Sequence, residues 1–304
     1  KSKITVKGKF ILSITLYNRG GGRIIQSCLN EMKNGLEKIG IEHTVLNESE
    51  YKPSDIAIIF GIYKKKGKTH QDRKVIIETQ RSIGKKIMIM ERGYINREIY
   101  HSIGWNGLNG NADFCNNYMP DDRLKMLNID LKPWRTSGEH ILLCGQVPWD
   151  SQLQHLNSDR KKGRGYIEWC VSIIKSIRSY TDRKIVFRIH PDISETHLEM
   201  FSFVKDFKNI SISKNKNIIE DFKNCHAVVC YNSNCAVDAA IMGIPIFTSD
   251  PSAIAWKISN KRIKRIEDPQ TISRNQWLQD IAYAQWNLKE ISEGLPWVHL
   301  NGGR

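Results

Sequence analysis

The chain reads as an α/β protein built from two doubly wound, Rossmann-like parallel sheets. Three observations predict this. Short, nearly unbroken apolar runs such as residues 227–231 have the pattern of parallel strands covered on both faces. These runs alternate with stretches of helical periodicity, and strand–helix–strand alternation marks a parallel sheet. The alternation occurs twice, on either side of a linker near 120–140, and a chain of 304 residues accommodates two domains of about 150 residues each.

In the first half, strands are expected over 10–17, 43–46, 55–61 and 86–90. The first helix, over 24–39, follows from Ile24, Ile25, Cys28, Leu29, Met32, Leu36 and Ile39 falling on one helical face. Gly40 closes it, and a second helix over 75–83 is closed by Gly84. Residues 93–113 are rich in Gly and Asn and read as a functional loop rather than a packed element. The second half predicts strands over 141–144, 184–189, 210–213, 227–231 and 244–248, and helices over 165–178, 198–207, 218–224 and 235–242. Residues 273–292 carry a helical pattern, with Trp277, Trp286 and Trp297 in or near it. The implied organisation is a domain over 1–130, a second over 131–272 and a tail over 273–304, with a cleft between the two domains.

Composition bounds the function. The formal net charge is +14. The excess clusters at Lys64–Lys66 with Lys68, Arg73–Lys74, Lys85–Lys86, Arg160–Lys162 with Arg164, and 261–265, which favours a polyanionic partner such as nucleic acid, an acidic glycan or an anionic membrane surface. No apolar run reaches the ~18–20 residues needed to span a bilayer, and the basic N-terminus is not followed by a signal-peptide core. The seven cysteines form no CxxC pair, so buried reduced thiols in a cytoplasmic protein are expected, with no disulfide framework and no metal site.

Five segments carry chemistry. The stretch CHAVVCYNSNCAVDAAIMGIPIFTSD (225–250) is a buried strand, a polar turn, a small-residue helix, a Gly-Pro break and a second strand. Its turn, Asn232, Ser233 and Asn234, lies at the carboxyl end of a parallel strand, where open α/β sheets bind phosphorylated ligands. Gly20, Gly21 and Gly22 follow strand one and let a ligand approach the backbone. Glu91 ends a strand in the first half, and Gln146, Asp150 and Ser151 follow a strand in the second. Chemistry at an anomeric carbon uses such a carboxylate pair, one to move a proton and one as base or nucleophile. Arg188 and His190 end a further strand and can hold a phosphate. Tyr94 and Trp105 can stack on a sugar or a base, with Asn106 and Asn109 beside them. There is no P-loop, no HExxH and no Asp-x-Asp, which suits a mechanism in which helix N-termini and basic side chains carry a leaving phosphate.

Taken together, ERGYI…SIGWNGLNG, ILLCGQVPWDSQ, RIHPD and VVCYNSNCAVDAAIMGIPIF resemble the capsule-polysaccharide glycosyltransferases of the bacterial Kdo-transferase type, over about Lys86 to Asp250. The resemblance implies a GT-B fold, with a nucleotide sugar (UDP-, GDP- or CMP-linked) bound mainly by the second domain, the acceptor side on the first, and a final helix crossing back to it. It places Glu91 and Asp150 on the family's acidic positions. Asp150 is then the nucleophile of a retaining route, or otherwise a base. His190 and Ser233 fall on donor-phosphate positions, and Gln146, Ser151, Arg188, Asn232 and Asn234 join them on the donor side. Asp238 stands where the family carries Glu, a position that contacts the donor's ribose, and Arg92 replaces the family's Asp. Gly20–Gly22, Tyr94, Trp105, Asn106 and Asn109 fall to the acceptor. The reaction expected is metal-independent transfer of a sugar to a hydroxyl of a polyanionic acceptor, in a bacterial or phage-infected cell. That acceptor is either a hydroxymethylated base in DNA or an acidic polysaccharide or lipid-linked glycan. The alternatives are a non-catalytic nucleic-acid or glycan binding module on the same scaffold, and a sugar-nucleotide epimerase or hydrolase.

Overall fold

A computed structural model describes residues 12–63, 68–157 and 163–302. The chain divides into two compact units, one formed by residues 12–91, 103–106 and 286–302, the other by 92–102 and 107–285. Residues 107–130, expected in the N-terminal domain, therefore pack in the second unit. The basic clusters at 64–66 and 160–162 lie outside the described residues.

In the first part of the chain, β1 (Ile14–Asn18), α1 (Arg23–Lys38), β2 (Thr44–Asn47), β3 (Ile56–Phe60), α2 (Lys68–Ser82) and β4 (Lys86–Arg92) follow the predicted alternation. β5 (Tyr100–Trp105) was not predicted. It lies inside the stretch read as a loop, between a glycine-rich start and a second run of Gly and Asn. Gly93 N donates to Tyr100 O and Asn106 N to Ile87 O, so β5 runs back antiparallel to β4.

In the second part, α3 (Asp122–Met126) precedes β6 (His140–Cys144), α4 (Arg164–Arg178), β7 (Lys184–Arg188), β8 (Ile210–Ile212), α5 (Ile218–Phe222), β9 (Cys225–Cys230), α6 (Cys235–Ile241) and β10 (Ile246–Thr248). The helix expected over 198–207 is instead a run of 3₁₀ turns over Glu195–Asp206. The tail is not one helix. It breaks into α7 (Asn275–Ala282), β11 (Gln285–Asn287), α8 (Leu288–Ser292) and α9 (Leu295–Leu300).

The first sheet has the order β11-β5-β4-β3-β1-β2, with β2, β1, β3 and β4 parallel. The second has the order β10-β9-β6-β7-β8, all parallel. In each sheet the order reverses once, between β1 and β3 and between β6 and β9. Ligands of open α/β sheets bind outside the carboxyl ends of strands at such a reversal.

The second sheet is buried on both faces, and strand alternation explains how. Ile141 and Leu143 of β6 and Ala227 and Val229 of β9 face one core, with Tyr166, Cys170, Ile174 and Ile177 of α4. Leu142 and Cys144, with Val228 and Cys230, face the other, covered by Ala236, Val237, Ala239 and Ala240 of α6 and by Trp277, Leu278 and Ile281 of α7. Small side chains let α6 lie close to the strands. Gly243 ends α6 with φ +73, and a Cβ there would sit 2.0 Å from Pro133 O, so only glycine fits.

The first unit buries an ion pair. Arg73 is 1% exposed and Glu48 4%. Arg73 Nε donates to Glu48 Oε1 (2.8 Å), Nη2 to Oε2 (3.3 Å) and Nη1 to Ile62 O (2.9 Å). This places one of the expected surface cations in the interior. Arg73→Ala strands the Glu48 carboxylate and lowers stability by about 3–5 kcal/mol, read as a lower denaturant midpoint. Unchanged unfolding would show that water reaches Glu48.

Candidate active site

In the first unit, the carboxyl ends of β1, β3 and β4 bring charged groups together. Gly61, just past β3, has φ +74, and a Cβ built there would lie 3.4 Å from Glu91 Oε2, 3.7 Å from Arg73 Nη1 and 3.8 Å from Arg19 Nη1. Arg19 also donates to Phe60 O (3.4 Å). Burial lowers the Arg19 guanidinium pKa and Arg73 adds to the drop, while Glu48 and Glu91 oppose it. Sequence reasoning missed Arg19; its place directly before Gly20 was the available signal. Gly20, Gly21 and Gly22 are exposed, and Gly22 precedes α1 in extended conformation. None of the three has the left-handed backbone that would demand glycine, so their smallness leaves bare backbone at the surface.

Trp105 and Asn106 do other work. Trp105 is 3% exposed, donates from Nε1 to Leu300 O (3.1 Å) and packs edge-on against Trp297. A ring buried in this way is core and offers no face for stacking. Asn106 accepts from Ile87 N through Oδ1 (3.0 Å), at the amino end of β4 and away from Glu91. Tyr94, in the second unit, is also buried, edge-on to Phe114.

The second unit holds a cavity of about 500 Å³ at the carboxyl ends of β6, β7 and β9. Gly145, His190, Ser233, Asn234 and Asp238 line it, with Arg97 and Lys216. Five expected donor-side residues thus share one wall: Arg188, His190, Ser233, Asn234 and Asp238. Asp192 N donates to His190 Nδ1 (3.2 Å), which places the proton of the neutral ring on Nε2. Ser233 Oγ accepts from Cys235 N (3.4 Å). Asn234 Nδ2 donates to Tyr94 O (3.0 Å).

Arg188 lines the cavity but is committed elsewhere. Nη1 donates to Asp221 Oδ2 (2.6 Å) and Asn215 O, and Nη2 to Lys216 O. Asp221 is 2% exposed and also binds Ser213 and Asn215. Arg188 therefore fixes the 213–217 turn, which carries Lys216 to the cavity. Arg97 was not predicted. Its segment is clamped by Gln285, fully buried, whose Oε1 accepts from Tyr94 N (2.8 Å) and Ile95 N (2.9 Å) and whose Nε2 donates to Ile95 O. Nothing in the sequence ties residue 285 to residue 94.

Asp238 sits in the cavity wall. Burial pushes its carboxyl up to about 7; the Cys235 thiol adds to the rise and the Arg97 guanidinium opposes it. The seven thiols form no disulfide, and all but Cys115 are buried.

Gln146 and Asn232 face each other across the strand-order reversal. Gln146 Nε2 donates to Asn232 Oδ1 (2.8 Å), and Asn232 N to Gln146 Oε1 (3.1 Å). Both are buried, so they brace the floor between β6 and β9. The loop after β6 then carries Asp150, half-buried. Its Oδ1 accepts from Gln152 N (2.8 Å) and Ser151 Oγ (3.4 Å), which aims the carboxylate. Asn109, at φ 52, donates to Gln152 Oε1 (3.4 Å).

Other expected surface cations are occupied. Lys85 pairs with Asp55 (2.7 Å). Lys261 donates to Ser259 O (2.6 Å) and lies 4.1 Å from the Trp256 ring centre. Among the described residues, no helix is long and apolar enough to cross a membrane, and no three His, Cys, Asp or Glu side chains are grouped to hold a metal ion.

No known family model matches the chain, and no curated protein matches it in sequence. Solved structures do match in fold. The β-Kdo 2,4-transferase of KpsC from Thermosulfurimonas dismutans has a TM-score of 0.52 at 12% identity, covering 91% of this chain and 91% of its own. The β-Kdo 2,7-transferase of the same KpsC also scores 0.52, at 16% identity, covering 93% of this chain and 98% of its own. Identity this low speaks to architecture alone. The chain shares the two-sheet, GT-B-type α/β fold of these capsule Kdo transferases.

Proposed function

We propose that this protein is a glycosyltransferase that moves a sugar from a nucleotide donor to a hydroxyl of a glycan acceptor. The observation that carries this reading is the 500 Å³ cavity at the β6/β9 reversal, with Arg97, Lys216, His190 Nε2–H and Ser233 on its wall. Cations and hydrogen-bond donors in a concave site at this edge suit a nucleotide's phosphates. They can take up the charge that develops on a leaving phosphate, so the transfer is read as metal-independent. Asp238, uncharged below about 7, can donate a hydrogen bond to a donor hydroxyl without repelling the phosphates. Asp150, held by Gln152 N, is the carboxylate that acts at the anomeric carbon. The fold shared with the two KpsC transferases supports the assignment.

The test is a panel of UDP-, GDP- and CMP-sugars incubated with the protein, with and without glycan acceptors, scored by nucleotide release. Acceptor-dependent release is expected. Release without acceptor would point to an epimerase or hydrolase, and none with any donor to a binding module. Asp150→Asn should reduce kcat at least about a hundredfold with donor affinity kept; wild-type turnover would remove Asp150 from this role.

The raised pKa of Asp238 gives a pH signature. The group ionises as pH rises through about 7, and its new charge then repels a bound phosphate. Nucleotide affinity should therefore fall between about pH 6 and about pH 8. Asp238→Asn should flatten that fall. Identical profiles by calorimetry would place Asp238 out of contact with the nucleotide.

A further inference from the structure

A second cavity, of about 300 Å³, opens in the second unit past the carboxyl ends of β9 and β10. Asn111, Gln152, His155, Asp250, Pro251 and Ser252 line it. Its polar groups are ordered by one hydrogen-bond chain. Tyr231, buried directly after β9, donates its hydroxyl to Asp250 Oδ2 (3.1 Å). His155 Nε2 lies 2.7 Å from that hydroxyl and 3.3 Å from the same carboxylate oxygen. Ser252 donates to Asp250 Oδ1 from its backbone N (2.8 Å) and from its hydroxyl. Asn232 Nδ2 donates to Ser252 Oγ (2.8 Å), and Gln146 holds Asn232. The chain thus runs from half-exposed His155 to the floor beside the first cavity.

This chain dictates what the cavity can bind. Tyr231 has one proton and gives it to Asp250, so His155 must donate from Nε2 to the tyrosine oxygen, and its Nδ1 is left as an acceptor. Burial works to raise the Asp250 carboxyl, but the donors Ser252 and Tyr231 outweigh it, so the net shift is downward and the group is an anion at neutral pH. Gln152 and Asn111 add amides, which both donate and accept. Among the described residues, no Lys or Arg lines the cavity, in contrast to the first one. An acceptor nitrogen, an anion and neutral amides match alcohol groups, which donate as well as accept. A carboxylate ligand would meet the Asp250 anion, with no Lys or Arg among the described lining residues to offset the repulsion.

The loop from Gly145 to Gln152 joins the cavities. Gly145 lines the first, Gln152 lines the second, and Asp150, in the same loop, accepts a hydrogen bond from Gln152 N. We infer that the second cavity receives the transferred glycosyl unit and selects a neutral, polyhydroxylated sugar over one bearing a carboxylate. The inference rests on reading the first cavity as the nucleotide site. It also sets this chain apart from its structural neighbours, whose names state transfer of Kdo, an acidic sugar.

Calorimetric titration of the whole chain tests it, using UDP, GDP and CMP alone and then UDP-glucose, UDP-N-acetylglucosamine, GDP-mannose, UDP-glucuronate and CMP-Kdo. UDP-glucose and UDP-glucuronate differ only at the terminal carbon, so they isolate the carboxylate. At least one neutral donor should bind about tenfold or more tighter than its bare nucleotide, and the two acidic donors should show no such gain. His155→Ala, at a half-exposed position that folding tolerates, and Asp250→Asn should each erase the gain while bare-nucleotide affinity stays within about twofold, which also reports a folded first cavity. A gain that survives both variants, a gain for either acidic donor, or no gain for any neutral donor overturns the sugar subsite and leaves the nucleotide site standing. Failure of every nucleotide and nucleotide sugar to bind removes the nucleotide reading, and this inference with it.

Discussion

The paired hydrogen bonds between Gln146 and Asn232 are the constraint on which the second unit's site depends. They join the two loops that leave β6 and β9, the strands between which the sheet order reverses. Such a reversal opens a crevice because the neighbouring connections turn to opposite faces of the sheet. The Gln146 side chain, bonded to both the side-chain oxygen and the main-chain N–H of Asn232, stops the crevice from collapsing into the core and fixes the loops' height above the sheet. A buried amide without its partner would cost about 1–3 kcal/mol, so the pair holds as a unit. Asp150, Ser233 and, through Ser252, Asp250 all take their positions from these loops.

Charge in this chain is organised from inside as much as from its surface. Arg73 with Glu48 and Arg188 with Asp221 are both nearly dry pairs. Breaking either one leaves a stranded charge, so each pins the turn it touches. Arg188 shows the consequence for function. The residue best suited by type to grip a phosphate is the one that shapes the turn carrying Lys216. Net charge alone overstates what is available to a polyanion, because Arg73, Arg188, Lys85 and Lys261 have protein partners.

Where the fold was legible in the sequence, the signal was continuous burial. β3 is apolar along its whole length, and β6 and β9 are but for His140 and His226, because both faces are covered, and α1 and α4 show one apolar stripe each. Two strands were hidden. β5 begins at Tyr100 inside a Gly- and Asn-rich stretch, and β11 is three residues, Gln-Trp-Asn, embedded in a helical pattern. The site divides in the same way. Residues that directly follow strands, such as His190, Ser233 and Asp150, were identifiable because strand ends are readable. Arg97, Lys216 and His155 were not, because each reaches its cavity through a tertiary clamp, whereas Asp250, two residues past β10, was readable by the strand-end rule. Gln285 on Tyr94 and Ile95, Arg188 on the 213–217 turn, and Tyr231 on His155 leave no periodic trace.

On the proposed reading, the two cavities of the second unit divide the chemistry of a donor along one loop. Toward Gly145 the wall offers Arg97, Lys216 and the Nε2–H of His190. Toward Gln152 it offers an anion and acceptors. A ligand with a polyanionic end and a polyol end is polarised by this gradient into a single orientation, because the reversed placement sets phosphate against Asp250. Asp150 belongs to the loop that contributes to both cavities. Orientation would then come before any contact with the reacting carbon, and positioning of this kind accounts for a large share of the barrier in group transfer. The same gradient explains why a carboxylate at position 238 is tolerated on the cationic side. Burial keeps it protonated up to about 7, so it serves there as a hydrogen-bond donor and leaves the field of the cavity positive.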